Sequence, residues 1–105
     1  MHTGPRLTIQ VQLVLRALLH NPADEMYGLE IAKQAGLPSG TIYPILARLE
    51  AAGWLTSGWE DIDESREQRR RRRYYRLTGS GASHARRALA RTKLLLFPER
   101  SGATS

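Results

Sequence analysis

From Ile9 to Leu19 the chain is apolar at almost every position: Ile9, Val11, Leu13, Val14, Leu15, Ala17, Leu18 and Leu19. Only Gln12, Arg16 and His20, spaced four apart, form a polar stripe. The spacing predicts a helix from a Thr8 cap to about His20, buried on more than one side. The alternation Ile9-Gln10-Val11-Gln12-Leu13 would suit a strand, but the run that follows favours helix. Asn21-Pro22 ends it, because proline disfavours a helical residue before it. A second, short helix is expected over Tyr27 to Ala35, with Leu29, Ile31 and Ala32 inward and Gly36 as its stop. Gly36-Leu37-Pro38 reads as a tight turn, and Ser39 as the N-cap of a third helix.

Pro44 constrains where that third helix begins. In a helix interior it deletes the bond to the carbonyl of residue 40, whereas in the first turn its missing N–H has no intrahelical partner anyway. A start near Gly40 or Thr41 removes most of the conflict. Ile42, Ile45, Leu46 and Leu49 then share one face and Thr41, Pro44 and Arg48 another, with Tyr43 at the border. Gly53 ends the helix, which covers about 40–53. Trp54 to Glu60 reads as a strand and Arg73 to Leu77 as its antiparallel partner, with Tyr75 and Leu77 inward and Tyr74 and Arg76 outward. Thr78 caps a fourth helix to about Phe97, with Ala82, Ala85, Ala88, Leu89, Leu95 and Leu96 as its stripe. Residues 98–105 form a polar tail, expected to be disordered, as are residues 1–7.

Helix, helix, turn, helix, strand, loop, strand, helix is the order of a winged helix-turn-helix with an added C-terminal helix. The fold class is mainly α (α+β): a winged helix-turn-helix over 8–78 and a C-terminal dimerisation helix over 79–97. A length of 105 residues fits one such domain. The chain has no cysteine, which excludes disulfides and thiolate metal sites and fits a reducing cytoplasm. No apolar run is long enough to cross a bilayer, and no signal peptide is recognisable, so a cytoplasmic protein is expected, located on the nucleoid when bound to DNA.

The net charge of +6 suits a polyanionic partner. Its distribution says more. Glu60, Asp61, Asp63, Glu64 and Glu67 form an acidic stretch, followed at once by Arg66, Arg69, Arg70, Arg71, Arg72, Arg73 and Arg76. Adjacent like charges repel, so this loop is expected to be mobile unless an anion neutralises it. Pairing with the acidic half is the alternative, but exposed pairs contribute only about 0–1 kcal/mol each and would not outcompete phosphate.

Four blocks of the sequence resemble the PadR family of bacterial transcriptional regulators. They are Tyr27-Gly28-Leu29-Glu30-Ile31, the stretch Ser39 to Glu50, Gly53-Trp54-Leu55 with Ser57-Gly58-Trp59-Glu60, and Tyr74-Tyr75-Arg76-Leu77-Thr78-Gly79-Ser80-Gly81. They occur in the family's order and span roughly residues 8–90. The wing departs from the family's pattern: Arg69 to Arg73 stand where members often carry a glycine, so a tight wing hairpin is not expected. Ser39-Gly40 also lacks the family's intervening proline. With one helix and a short tail after the wing, the chain resembles the small, single-domain members.

The resemblance implies a homodimeric, sequence-specific DNA-binding regulator and, by analogy, a repressor. Candidate DNA contacts on the third helix are Ser39 and Gly40, whose backbone N–H groups suit a phosphate, and Thr41, Tyr43, Pro44 and Arg48. A solvated Arg48 and a half-buried Tyr43 are the plainer alternatives. On the wing the candidates are Arg69, Arg70, Arg71, Arg72 and Arg73, against phosphate or in a minor groove. Leu13, Ala17, Ala85, Leu89, Leu95 and Leu96 are the candidate dimer interface, with packing inside one chain as the alternative. The implied partners are double-stranded DNA carrying a pseudo-palindromic operator, a second copy of the chain, and a small-molecule effector of unknown identity.

Trp54 and Trp59 are expected to fill core rather than line a ligand pocket. The histidines His2, His20 and His84 lack neighbours at ligand spacing, so no metal is expected, and no cofactor. No nucleophile–base pair or phosphate loop is present, which argues against an enzyme. A winged-helix module for protein contact or non-specific nucleic-acid binding is the other reading.

Overall fold

The computed structural model describes residues 5–96, with side chains as far as residue 92. The expected tail at 98–105 lies outside these residues, as do the side chains of Leu95 and Leu96. Helix α1 (Ile9–His20) begins where expected: Thr8 Oγ1 accepts from the Val11 N–H at 3.2 Å. It buries Val11, Val14, Leu15 and Leu18, while Ile9 stays 62 % exposed and Leu13 half-buried. Gln12 does not belong to a solvent stripe. It is buried, its Nε2 donates to the Leu7 carbonyl at 3.1 Å, and its Oε1 accepts from Thr92 Oγ1 at 3.2 Å. A polar side chain is tolerated there because both ends of its amide are bonded.

A two-residue strand β1 (Met26–Tyr27) precedes α2 (Gly28–Ala35). The expected second helix therefore loses its first residue to the sheet. Leu29 was expected inward and is 64 % exposed, because the helix starts at Gly28 and its second position turns outward. Gly36 takes the left-handed conformation that stops α2.

Helix α3 (Ser39–Ala51) starts one residue earlier than expected, so Pro38, not Ser39, is its N-cap. Thr41 and Ile42 donate to the Pro38 carbonyl at 3.0 and 3.3 Å. Pro44 consequently falls in the second turn, where the bond to the Gly40 carbonyl is forfeited. Ile42, Leu46 and Leu49 have no exposed surface and Ile45 very little. Full burial of each such side chain stabilises by roughly 1.5–3 kcal/mol. Gly53 follows the helix at φ 80°, and the Gly53 and Trp54 N–H groups close on the Glu50 and Leu49 carbonyls at 3.0 and 2.9 Å. This terminus aims the chain into β2 (Leu55–Trp59).

Strand β3 (Arg73–Leu77) lies between β1 and β2 in an antiparallel sheet of order β1-β3-β2. Leu55 pairs with Leu77, Ser57 with Tyr75 and Trp59 with Arg73. Leu55, Tyr75 and Leu77 are buried, but Trp59, two pairs beyond Leu55 on the same face, projects past the end of the core and is 59 % exposed. It is not core filler. Trp54 is, and its ring stacks on His84 at 5.5 Å.

Between β2 and β3 the connection contains one helical turn, α4 (Glu64–Glu67). Thr78 then accepts from the Gly81 N–H at 2.8 Å and donates to the Gly53 carbonyl at 2.9 Å, fastening α5 (Gly79–Leu96) to the end of α3. Ala82, Ala85 and Ala88 face the core of the same chain. Ala17 and Ala85, both expected at a dimer interface, are buried inside the single chain, Ala85 completely. Leu13 and Leu89 remain partly exposed beside them.

Candidate nucleic-acid interface

The outward side of α3 carries Gly40, Tyr43, Pro44 and Arg48 exposed, with Ser39 and Thr41 half-buried. All six expected contact residues of this helix therefore share one accessible side and its N-terminus. The Tyr43 ring leans on the first residue of α2: a Cβ at Gly28 would meet the Tyr43 hydroxyl at 2.5 Å. Glycine at 28 is what lets this ring come so close to the start of α2.

The wing is organised around one carboxylate. Extending the β2–β3 ladder by one pair sets Glu60 opposite Arg72, and the Glu60 N–H donates to the Arg72 carbonyl at 2.9 Å. Arg69 forks onto Glu60, Nη1 to Oε1 at 2.7 Å and Nη2 to Oε2 at 2.9 Å. Arg72 adds Nη2 to Oε2 at 3.0 Å and its backbone N–H to Oε1 at 3.1 Å. The Tyr27 hydroxyl donates to Oε2 at 3.0 Å, and the Arg72 guanidinium sits 4.0 Å above the Tyr27 ring. The Glu60 side chain is left only 11 % exposed. Arg69 and then Arg72 hold its carboxyl well below the usual glutamate range by hydrogen bonding. Conversely, the bond to Glu60 pushes the Tyr27 phenol up.

The remainder of the loop is tied in the same way. Asp63 caps α4 through the Ser65 and Arg66 N–H groups at 3.0 and 3.3 Å, and Gln68, at φ 56°, takes the left-handed turn that a glycine would otherwise supply. The Arg71 N–H donates to Glu64 Oε2 at 2.7 Å and its Nε to the Ile62 carbonyl at 3.0 Å. Arg73 donates to Ser57 Oγ at 2.8 Å and lies 5.1 Å from the Trp59 ring. Ser57 in turn donates to Glu50 Oε2 at 2.6 Å, linking the wing to α3. Of the two expected arrangements, pairing with the acidic half is the one seen: Glu60, supplied by the loop itself, is the anion that Arg69 and Arg72 take up.

A groove of about 440 Å³ runs between the start of α2, α3 and the wing. Tyr27, Leu29, Tyr43, Trp59 and Arg71 to Arg73 line it. It brings the α3 residue Tyr43 and three of the wing arginines to one concave surface. Tyr27, Leu29 and Trp59 were not expected there. The ladder register points to Trp59 and Glu60, but β1 is too short to announce Tyr27. The residues expected at a dimer interface lie elsewhere, on α1 and α5.

The residues that match the Transcriptional regulator PadR-like family are 14–87, most of the chain, from within α1 through the wing and into α5. The chain belongs to this family. PadR-like proteins are transcriptional regulators that bind DNA and are not enzymes. The chain is also similar to a PadR family transcription regulator from Clostridium difficile, at 25% identity over 91% of this chain and 99% of that one, with a TM-score of 0.67. The protein smu.1704 from Streptococcus mutans shares the fold, at 24% identity over 96% and 95% of the two chains and a TM-score of 0.68. The PcaV transcriptional regulator from Streptomyces coelicolor, solved with its natural ligand, matches at 26% identity over 89% of this chain and 62% of that one, TM-score 0.67. A search of curated proteins found no match. Among the described residues no helix is long and apolar enough to cross a membrane.

Proposed function

We propose that this PadR-like regulator is a homodimeric, sequence-specific repressor acting in the cytoplasm on a pseudo-palindromic operator. The exposed side of α3 enters the major groove, with Ser39 and Gly40 meeting a phosphate and Thr41, Tyr43, Pro44 and Arg48 placed towards base edges and sugar. The wing contacts backbone or minor groove. The observation that carries this is the shared groove: Tyr43 of α3 and Arg71 of the wing border one surface. In the dimer, Leu13, Leu89, Leu95 and Leu96 cover one another, and two α3 helices lie about 34 Å apart, one turn of duplex. A small-molecule effector belongs to the same proposal, supported by PcaV having been solved with its natural ligand.

Footprinting on the intergenic DNA beside the chain's own gene is the direct test. A two-fold symmetric protected site with half-sites one helical turn apart is expected. Equal affinity for that DNA and a scrambled duplex would replace specific regulation with non-specific binding, and no shift of any duplex at low salt would end the proposal. If a dimer neutralises roughly 6–8 phosphates, log K falls with log salt at a slope near −6.

A further inference from the structure

The five consecutive arginines of the wing are chemically equal in sequence and unequal in structure. Arg69 and Arg72 share the Glu60 carboxylate, which accepts from both guanidinium groups, from the Arg72 N–H and from Tyr27. Arg73 is turned back onto Ser57 and Trp59. Arg71 uses only its Nε, on the Ile62 carbonyl, and its terminal nitrogens make no hydrogen bond or ion pair among the described residues. Arg70 has no side-chain ion pair or hydrogen bond among the described residues and is exposed.

We propose that Glu60 is the positioning residue of the wing: it withholds Arg69 and Arg72 from nucleic acid and leaves Arg70 and Arg71 as the arginines that meet phosphate. This rests on the DNA-binding function proposed above and gives it a specificity device. Five mobile guanidinium groups would attract any duplex through counterion release. A wing with two of them held on a built-in carboxylate, which cancels one of their two charges and occupies their donors, has a weaker sequence-independent attraction, and its remaining arginines are held in one geometry by the clasp, α4 and the ladder. The physical basis is the bidentate fork: an Arg–carboxylate pair fixes orientation as well as charge. Because the carboxylate is tethered and mostly shielded from water, a passing phosphate must displace several bonds at once to take its place.

Glu60→Gln keeps the shape and removes the charge. Its wing should be cut faster by trypsin between Arg69 and Arg73 than the wild type, with Tm near that of the wild type. Equal cutting rates would overturn the clasp whether or not the chain binds DNA. With duplex from the chain's own intergenic region and a scrambled duplex, E60Q should bind the scrambled DNA more tightly. Its salt slope should steepen by about 2 per bound chain, one for each released arginine. The triple variant E60Q/R69Q/R72Q should return to the wild-type slope. Arg70→Ala and Arg71→Ala should each flatten the slope by about 1, whereas Arg69→Ala and Arg72→Ala should leave it unchanged. Flattening by R69A and R72A as large as that by R70A would mean that DNA displaces Glu60, which refutes the assignment. Failure of the wild type to bind any duplex, with trypsin protection intact, would refute DNA binding and leave the clasp as a purely structural device.

Discussion

Gly28 and Gly81 both stand where a methyl group does not fit, yet an alanine at each has a different consequence. At Gly81 the new Cβ would run into the backbone of Trp54, which the Thr78 N–H bond to the Trp54 carbonyl holds in place. Backbone cannot swing aside, so Gly81→Ala should destabilise by about 1–3 kcal/mol despite alanine's better helix propensity, and lower Tm by several degrees. At Gly28 the obstacle is the end of the Tyr43 side chain. That ring can rotate away, and alanine recovers roughly 0.5–1 kcal/mol of backbone entropy in the helix. Gly28→Ala should therefore melt close to the wild type while weakening DNA binding about fivefold, the equivalent of one hydrogen bond near 1 kcal/mol. Unchanged affinity would remove Tyr43 from the contact surface. Glu60 gives a pH prediction of definite sign. A carboxyl depressed on folding stabilises the wing at every pH above its unfolded value, near 4.3, and that contribution disappears only as pH falls through the lower folded value. The Arg72 amide, bonded to Glu60, should report this in its NMR shift, constant around neutral pH and titrating with a midpoint below the ordinary glutamate value.

At the scale of elements, α3 combines a buried stripe that needs a regular helix with a proline that opposes one. Pro44 sits in the second turn, exposed on the outward side of the helix, with its ring towards the carbonyl it cannot bond. Pro44→Ala should restore that bond and stabilise the domain by roughly 1–2 kcal/mol, even after the proline's entropic benefit to folding is subtracted. It should also weaken binding to the operator, the usual cost of relaxing a functional surface. A variant with lower Tm would show that the proline fits its turn without strain. Much of this fold was legible because its boundaries are chemical: Thr8 and Thr78 can cap, Gly36 and Gly53 can turn left-handed, and Ile42, Ile45, Leu46 and Leu49 repeat with helical period. What was not legible depends on partners distant in sequence. Met26-Tyr27 is too short to alternate and becomes a strand only because β3 offers Tyr74 and Tyr75 across from it. Gln12 reads as a surface residue until α5 brings Thr92 to it. The wing arginines look identical until the ladder register selects Glu60 from five nearby acids.

At the scale of the whole molecule, α1 and α5 leave some apolar side chains uncovered among the described residues. Their mutual packing hides Ala17, Ala85 and Ala88, so these alanines serve the chain's own core. Ile9 at 62 % exposure and the half-buried Leu13, one turn apart on α1, and the half-buried Leu89 on α5 keep apolar surface in contact with solvent. A second copy covering these residues is the dimer proposed above, and self-complementary contact is the commonest way to close such a pair. Leu13→Lys tests it, because a lysine stem can lie along apolar surface in the monomer but its ammonium cannot be desolvated between two copies. The variant should keep its helical circular dichroism while its dimer dissociation constant, read by sedimentation, rises at least about tenfold, or 1.4 kcal/mol. Wild type that sediments as a monomer at every concentration would sink the dimer. If the dimer holds, the monomerised variant should also lose far more affinity for a full operator than for a single half-site, since linked sites gain through effective concentration and isolated ones do not.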